Sequence, residues 1–129
     1  MWNESFRIGV ENIDRQHKEL FKKTEELLIE VRNESVEYAD RKEKCISTIL
    51  FLKDYAVKHF ADEEAYQISI NYKDFDAHKK LHEKFVETVL QHEKKLTESD
   101  FAKTDVSEFA EMLVAWLLYH VVDADKKIK

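Results

Sequence analysis

Histidines and a glutamate stand at spacings that let pairs of them act on one centre. His59 and Glu63 are four residues apart, and so are His78 and His82. On an α-helix this spacing stacks two side chains on one face, one turn apart. Imidazole and carboxylate groups bind metal ions, and burying them without a partner costs about 1–3 kcal/mol each. The two pairs therefore predict a buried metal site, provided that helices carry them.

The composition indicates that the elements carrying these pairs are helices. The chain has 129 residues, 43% of them hydrophobic, which suits one domain over 1–129 with a real core. It contains no Pro and only one Gly, whereas strand-rich folds normally need both at their turns. An all-α fold follows.

The spacing of apolar residues predicts four amphipathic helices joined by short polar breaks. They cover about 13–32, 40–68, 74–96 and 106–122. Short connections favour antiparallel neighbours, hence an up-down-up-down antiparallel four-helix bundle over about 13–125. The first residues, about 1–12 with Trp2 and Phe6, then form an extended N-terminal arm lying on the bundle.

Folding these helices about their turns brings the histidine pairs to one layer. At roughly 1.5 Å per residue, both pairs lie at the same height on antiparallel helices, level with His17 of the first helix and His120 of the fourth. His92 is ten residues beyond His82, roughly 15 Å along the axis. It is therefore expected to be an ordinary hydrogen-bonded or surface histidine.

A second carboxylate follows His120, and its identity is open from spacing alone. Asp123 and Asp125 both stand close behind it. A five-residue step turns a side chain by about 140° on a regular helix, so Asp125 reaches the site only if the helix unwinds after Val122.

The donor set points to two metal ions rather than one. Five imidazoles and two carboxylates exceed the four ligands of a tetrahedral zinc site. They suit two ions bridged by carboxylates, and mixed nitrogen and oxygen donors suit iron or manganese. The single Cys45 excludes an iron–sulfur centre, and the Glu-x-x-His motif of ferritin-like bundles is absent.

Charge and hydropathy exclude other classes of function. The net charge of -6 argues against a nucleic-acid partner, which needs a basic surface. The N-terminus has no apolar signal region, and the most apolar run, 112–122, is too short for a membrane span. A lone cysteine suits a reducing compartment, so a cytoplasmic location is expected.

Several segments, in order and nearly end to end, resemble the hemerythrin family in its single-domain bacterial form. After Trp2, the matching segments are Gly9-Val10, Ile13-Asp14-Arg15-Gln16-His17, His59-Phe60-Ala61-Asp62-Glu63-Glu64, His78-Lys79-Lys80-Leu81-His82, Trp116-Leu117-Leu118-Tyr119-His120 and Asp125-Lys126-Lys127. All seven ligand positions of the family are filled, and the resemblance selects Asp125 over Asp123.

The resemblance implies that the two iron ions have different sets of ligands. One iron would be held by His78, His82 and His120 and be coordinatively full. The other would take only His17 and His59, leaving a position open for molecular oxygen. Glu63 and Asp125 would bridge the ions, together with an oxo or hydroxo group.

The implied function is reversible oxygen binding for storage, transport or scavenging, without catalysis. Two alternatives remain: an oxygen or redox sensor, and a di-iron enzyme with peroxidase-like or nitric-oxide-consuming activity. No membrane is expected as a partner, and a protein partner is not indicated.

Five further residues are assigned roles around the metal ligands. Asp14 is expected either to orient a ligand imidazole or to cap the first helix. Phe60 and Leu117 are expected to line a dry oxygen pocket, or simply to belong to the core. Where many relatives have a Met four residues after the bridging Glu, this chain has Gln67, so Gln67 or its neighbour Tyr66 is expected to alter the polarity of the pocket.

Overall fold

The computed structural model describes residues 2–33, 35 and 37–121, and it is helical almost throughout. The helices are α1 (Glu11–Arg32), α2 (Tyr38–Ser69), α3 (Phe75–Glu98) and α4 (Lys103–Tyr119). No strand occurs among the residues described, and none of these helices combines the length and apolar character that crossing a bilayer requires. The predicted bounds of the first three helices agree within two residues, whereas α4 begins three residues earlier than predicted.

The four helices form the predicted up-down-up-down bundle. Each helix packs against the next one along the chain, and α1 also packs against α4, which closes the ring. Apolar side chains from every helix meet along the axis, as the amphipathic spacing requires. Fully buried members of this core include Phe21, Leu27, Leu52, Leu96, Phe109, Leu113 and Leu117.

Residues other than glycine end α2 and α3 in a left-handed conformation. Asn71 has a φ of 53° and Asp100 a φ of 52°. After each, a backbone N–H reaches back to a carbonyl five residues earlier: Tyr72 to Gln67 at 2.9 Å, and Phe101 to Leu96 at 2.8 Å. This is the hydrogen bonding of a Schellman motif, which Asn and Asp tolerate better than most side chains. The chain therefore makes both turns without a glycine.

A polar contact joins the two connections at the end of the bundle away from the α2–α3 turn. The Tyr38 hydroxyl at the start of α2 donates to the Asp100 carboxylate that follows α3. The Lys42 amino group contacts the same carboxylate at 3.0 Å. These exposed contacts tie the beginning of α2 to the turn between α3 and α4.

The N-terminal arm lies on α1. A short 3-10 turn, Glu4–Phe6, interrupts the extended conformation that was predicted for the arm. The rings of Trp2 and Phe6 pack on Phe21 of α1, with centroids 5.8 and 5.6 Å away. The arm thus covers one side of the bundle beside the helix that carries His17.

Candidate metal centre

Glu63 of α2 is the centre of the buried cluster. It is fully buried, and its Oε2 faces the histidines of α1 and α2. Nε2 of His17 and Nε2 of His59 each lie 3.3 Å from that oxygen. Both rings are buried as well. One group of donors therefore consists of His17, His59 and Oε2 of Glu63.

The other carboxylate oxygen faces the histidines of α3 and α4. Oε1 of Glu63 lies 3.0 Å from Nε2 of His82, 3.3 Å from Nδ1 of His78 and 3.6 Å from Nε2 of His120. These rings are buried too, and with Oε1 they form a second group of donors. A carboxylate that turns one oxygen to each of two donor groups has the geometry of a bridging ligand.

Electrostatics keeps this carboxylate ionised. Burial by itself raises the pKa of Glu63, but hydrogen bonds from His120, His17 and other imidazoles lower it further. The net result is a pKa well below the usual value for a glutamate. A negatively charged, buried oxygen pair surrounded by imidazole nitrogens is prepared to bind cations.

On the Oε2 side, an amide connects a ligand histidine to a surface carboxylate. Nδ1 of His59 lies 2.8 Å from the side-chain oxygen of Gln16. The amide nitrogen of Gln16 donates to Asp62 at 2.8 Å, and this hydrogen bond is the main reason that the pKa of Asp62 is lowered. Gln16 was not assigned a role from the sequence. In the sequence, Gln16 could have been recognised by its position on the buried face of α1, three residues after Ile13.

On the Oε1 side, the ligand histidines have partners of a different kind. Nδ1 of His82 donates directly to the Glu64 carboxylate at 2.9 Å. The amide nitrogen of the fully buried Gln67 lies 2.7 Å from Nδ1 of His78. Glu64 was also missed by the sequence reasoning, because its role depends on how α2 and α3 face each other. A partner such as Glu64, on the nitrogen that faces away from Glu63, orients a ligand imidazole and tunes its basicity. Gln67 differs, because it contacts the same Nδ1 of His78 that faces Oε1 of Glu63.

Aromatic rings pack on the ligand imidazoles and keep them in place. Phe60 is stacked on His82 with centroids 3.9 Å apart, and Trp116 is stacked on His120 at 4.3 Å. Phe60 and Leu117 both belong to the buried core. Their part in an oxygen pocket stays a prediction.

The remaining candidates fall outside this cluster or outside the described residues. His92 is half-buried against Phe109, 5.7 Å between ring centroids, and belongs to neither donor group. Asp14 accepts the backbone N–H groups of Ile8 and Gly9, at 2.8 and 3.1 Å, so it holds the arm on α1, a role that the sequence had not indicated.

Asp123 and Asp125 lie beyond the described residues, so the second bridging carboxylate is untested. His120, which follows α4, still has helical backbone angles and donates its backbone N–H to the carbonyls of Trp116 and Leu117.

Residues 8–129 match the family model of the hemerythrin HHE cation binding domain. This chain belongs to the hemerythrin family. It is 32% identical to a bacteriohemerythrin of Clostridium acetobutylicum over 98% of this chain and 96% of that protein. It is 31% identical to a myohemerythrin of Theromyzon tessulatum and to a hemerythrin alpha subunit of Lingula anatina, in each case over 99% of this chain and about nine-tenths of the relative (89% and 91%).

The donor set of this hemerythrin fits a pair of iron ions. Hemerythrin domains bind a di-iron centre, and the two donor groups around Glu63 provide for two ions rather than one. Imidazole nitrogen and carboxylate oxygen are donors that suit iron. The cluster is also shielded from bulk solvent, since all five imidazoles are at most 4% exposed. The residues present therefore match the cofactor of the family.

Proposed function

We propose that this chain binds molecular oxygen reversibly at a non-haem di-iron centre, for storage, transport or scavenging. The observation that carries the proposal is the unequal division of imidazoles around Glu63. Three face Oε1 and two face Oε2. If both ions share the same bridging ligands, the ion beside Oε2 has one ligand fewer than the ion beside Oε1. The ion beside Oε2 therefore keeps one coordination position for a small molecule.

In this proposal His78, His82 and His120 hold the filled ion, and His17 and His59 hold the open one. Glu63 and Asp125 would supply carboxylate ligands to both ions, and an oxo or hydroxo group would complete the set. When bound, the iron pair supplies the two electrons that reversible oxygen binding requires. The protein supplies orientation and a water-poor environment, with Phe60 and Leu117 as part of the apolar surroundings.

The donor chemistry favours binding over turnover. Neutral imidazoles stabilise high oxidation states of iron less than carboxylates do, so a histidine-rich set favours release of oxygen over its activation. No general acid or base beyond the ligands is needed for the proposed function, and no catalytic turnover is assigned.

The family resemblance supports Asp125 as the second bridge, because the segment Asp125-Lys126-Lys127 matches the hemerythrin pattern. Asp125 is five residues after His120, whereas Asp123 is three after it. We expect Asp125→Asn to lose iron on dialysis and Asp123→Asn to retain it; the reverse result would assign the bridge to Asp123.

The proposal is tested by the optical spectrum of iron-loaded protein that is reduced without oxygen and then exposed to air. We expect a visible band to develop in air and to disappear when oxygen is removed, over repeated cycles. A His17→Gln variant should lose the band, whereas the matched variant His92→Gln should keep it. Irreversible bleaching on the first exposure would contradict reversible binding and favour a redox sensor or an enzyme.

A further inference from the structure

Gln16 is a buried polar side chain that the set of metal ligands does not use. It is 4% exposed and directly precedes His17 on α1. Its amide spans two residues of α2: the oxygen lies 2.8 Å from Nδ1 of His59, and the nitrogen lies 2.8 Å from Oδ2 of Asp62. One amide thus connects a histidine of the cluster to a half-buried carboxylate nearer the surface.

The chemistry of these three groups fixes the direction of both hydrogen bonds. An ionised carboxylate only accepts hydrogen bonds, so the amide nitrogen of Gln16 must face Asp62. Its oxygen then faces His59, and an amide oxygen also only accepts. Nδ1 of His59 therefore carries the proton. Nε2, which lies 3.3 Å from Oε2 of Glu63, presents its lone pair to the position of the ion.

His59 and His82, one from each donor group, donate to different kinds of acceptor. His82 donates straight to the charged Glu64 at 2.9 Å. His59 donates to a neutral amide, and the charge of Asp62 acts only through it. Hydrogen bonds to charged acceptors are roughly twice as strong as neutral ones. His59 is therefore oriented firmly without becoming as strong an electron donor as His82.

We propose that Gln16 is a positioning residue of the metal centre. It holds His59 in the Nδ1–H tautomer and aims its Nε2 at the ion on the Oε2 side of Glu63. Asp62 fixes the orientation of the amide. This inference rests on the two-ion site of the proposed function and is independent of whether oxygen binds.

The test uses zinc-loaded protein with ¹⁵N-labelled histidine, because zinc is diamagnetic and does not require oxygen. Zinc affinity is measured by calorimetry, and the Nδ1–H of His59 by its proton shift and its exchange with solvent. In Gln16→Leu we expect the more weakly held zinc ion to bind about 10- to 100-fold less tightly, the other ion to be unaffected, and the Nδ1–H signal to move upfield and exchange faster.

Two further variants complete the test. Gln91 is an exposed glutamine on α3, so Gln91→Leu is a matched control that should leave affinity and signal unchanged. Asp62→Ala changes a partly exposed side chain that accepts a hydrogen bond from the amide of Gln16. It should shift the same Nδ1–H signal and weaken zinc binding less than Gln16→Leu does.

An unchanged His59 signal with full affinity for both ions in Gln16→Leu would overturn the inference. If that variant does not fold, an unchanged His59 signal in Asp62→Ala overturns it instead. Binding of only one zinc ion by the parent chain would contradict the proposed di-metal site, and the His59 signal would then decide the role of Gln16 separately.

Discussion

At the scale of single residues, the ligand histidines differ from one another mainly in the side chains that form hydrogen bonds with them. On the nitrogen that faces away from Glu63, His59 has an amide backed by a carboxylate as its partner, and His82 has a carboxylate. Because a partner sets the orientation and basicity of an imidazole, the two halves of the centre are not equivalent.

Gln67 is the residue whose replacement should change the behaviour of the centre in air. It is fully buried, and its side-chain oxygen has no hydrogen-bond partner among the described residues. It is therefore a polar atom that can attract water or a proton to the site. We expect Gln67→Leu to slow autoxidation about two- to tenfold, the equivalent of about 0.5–1.5 kcal/mol.

The measurement is the half-life of the oxygenated, iron-loaded protein in air, followed by its visible band. Tyr66→Phe is the matched control, because Tyr66 is adjacent in sequence but half-exposed. It should leave the half-life unchanged. An unaltered half-life in Gln67→Leu would show that this amide does not influence the oxygenated site.

At the scale of elements, the ends of the helices replace glycine with residues that tolerate a positive φ. Asn71, at the end of α2, is exposed. We expect Asn71→Gly to be more stable than Asn71→Ala by about 1 kcal/mol, because alanine is strained in this conformation and glycine is not.

That difference corresponds to about 3–5 °C in the thermal midpoint at a fixed metal concentration. The same pair of substitutions at Lys73, an exposed neighbour without a positive φ, should favour alanine or show no difference. Equal midpoints for the two Asn71 variants would mean that the left-handed turn contributes no strain.

The arm is a second element whose attachment can be tested. The buried carboxylate of Asp14 accepts two backbone N–H groups of the arm, and Arg7 approaches it to 3.7 Å. Asp14→Asn replaces one acceptor with a donor, so we expect the arm to open more often and trypsin to cleave after Arg7 about tenfold faster.

Mass spectrometry of the first cleavage product measures this rate. Glu11→Gln, an exposed change in the first turn of the same helix, should not alter it. Equal cleavage of Asp14→Asn and the parent protein would assign the attachment of the arm to Trp2 and Phe6 alone.

At the scale of the whole molecule, the metal centre and the apolar core share one bundle interior. Removing the ions leaves five buried imidazoles and the Glu63 carboxylate without the cations that they bind, so the stability of the bundle is linked to metal binding. Free metal at a thousand times its Kd contributes about 4 kcal/mol, and we expect removal by a chelator to lower the thermal midpoint by roughly 10–20 °C.

Leu27→Ala provides the control for this linkage. Leu27 is fully buried on α1, ten residues from His17, so the variant should lose about 2–5 kcal/mol with and without metal. The difference between its loaded and metal-free midpoints should match that of the parent protein. Equal midpoints for the loaded and metal-free parent would contradict a metal centre in the core.

The amino-acid sequence by itself determined the helices, their order and the single layer of histidines around Glu63. These features depend on local periodicity and on axial rise, which are properties of each helix alone. It also indicated the donor atoms, since residue type decides which groups bind iron. The same calculation of axial rise excluded His92 as a metal ligand.

Only the tertiary structure decided which oxygen of Glu63 faces which histidines, and which side chains support them. Gln16 contacts His59, and Glu64 contacts His82, across the boundary between two helices. Such contacts depend on the rotation of each helix about its axis and on side-chain rotamers. Packing of the whole core sets both, and no spacing within a single helix encodes them.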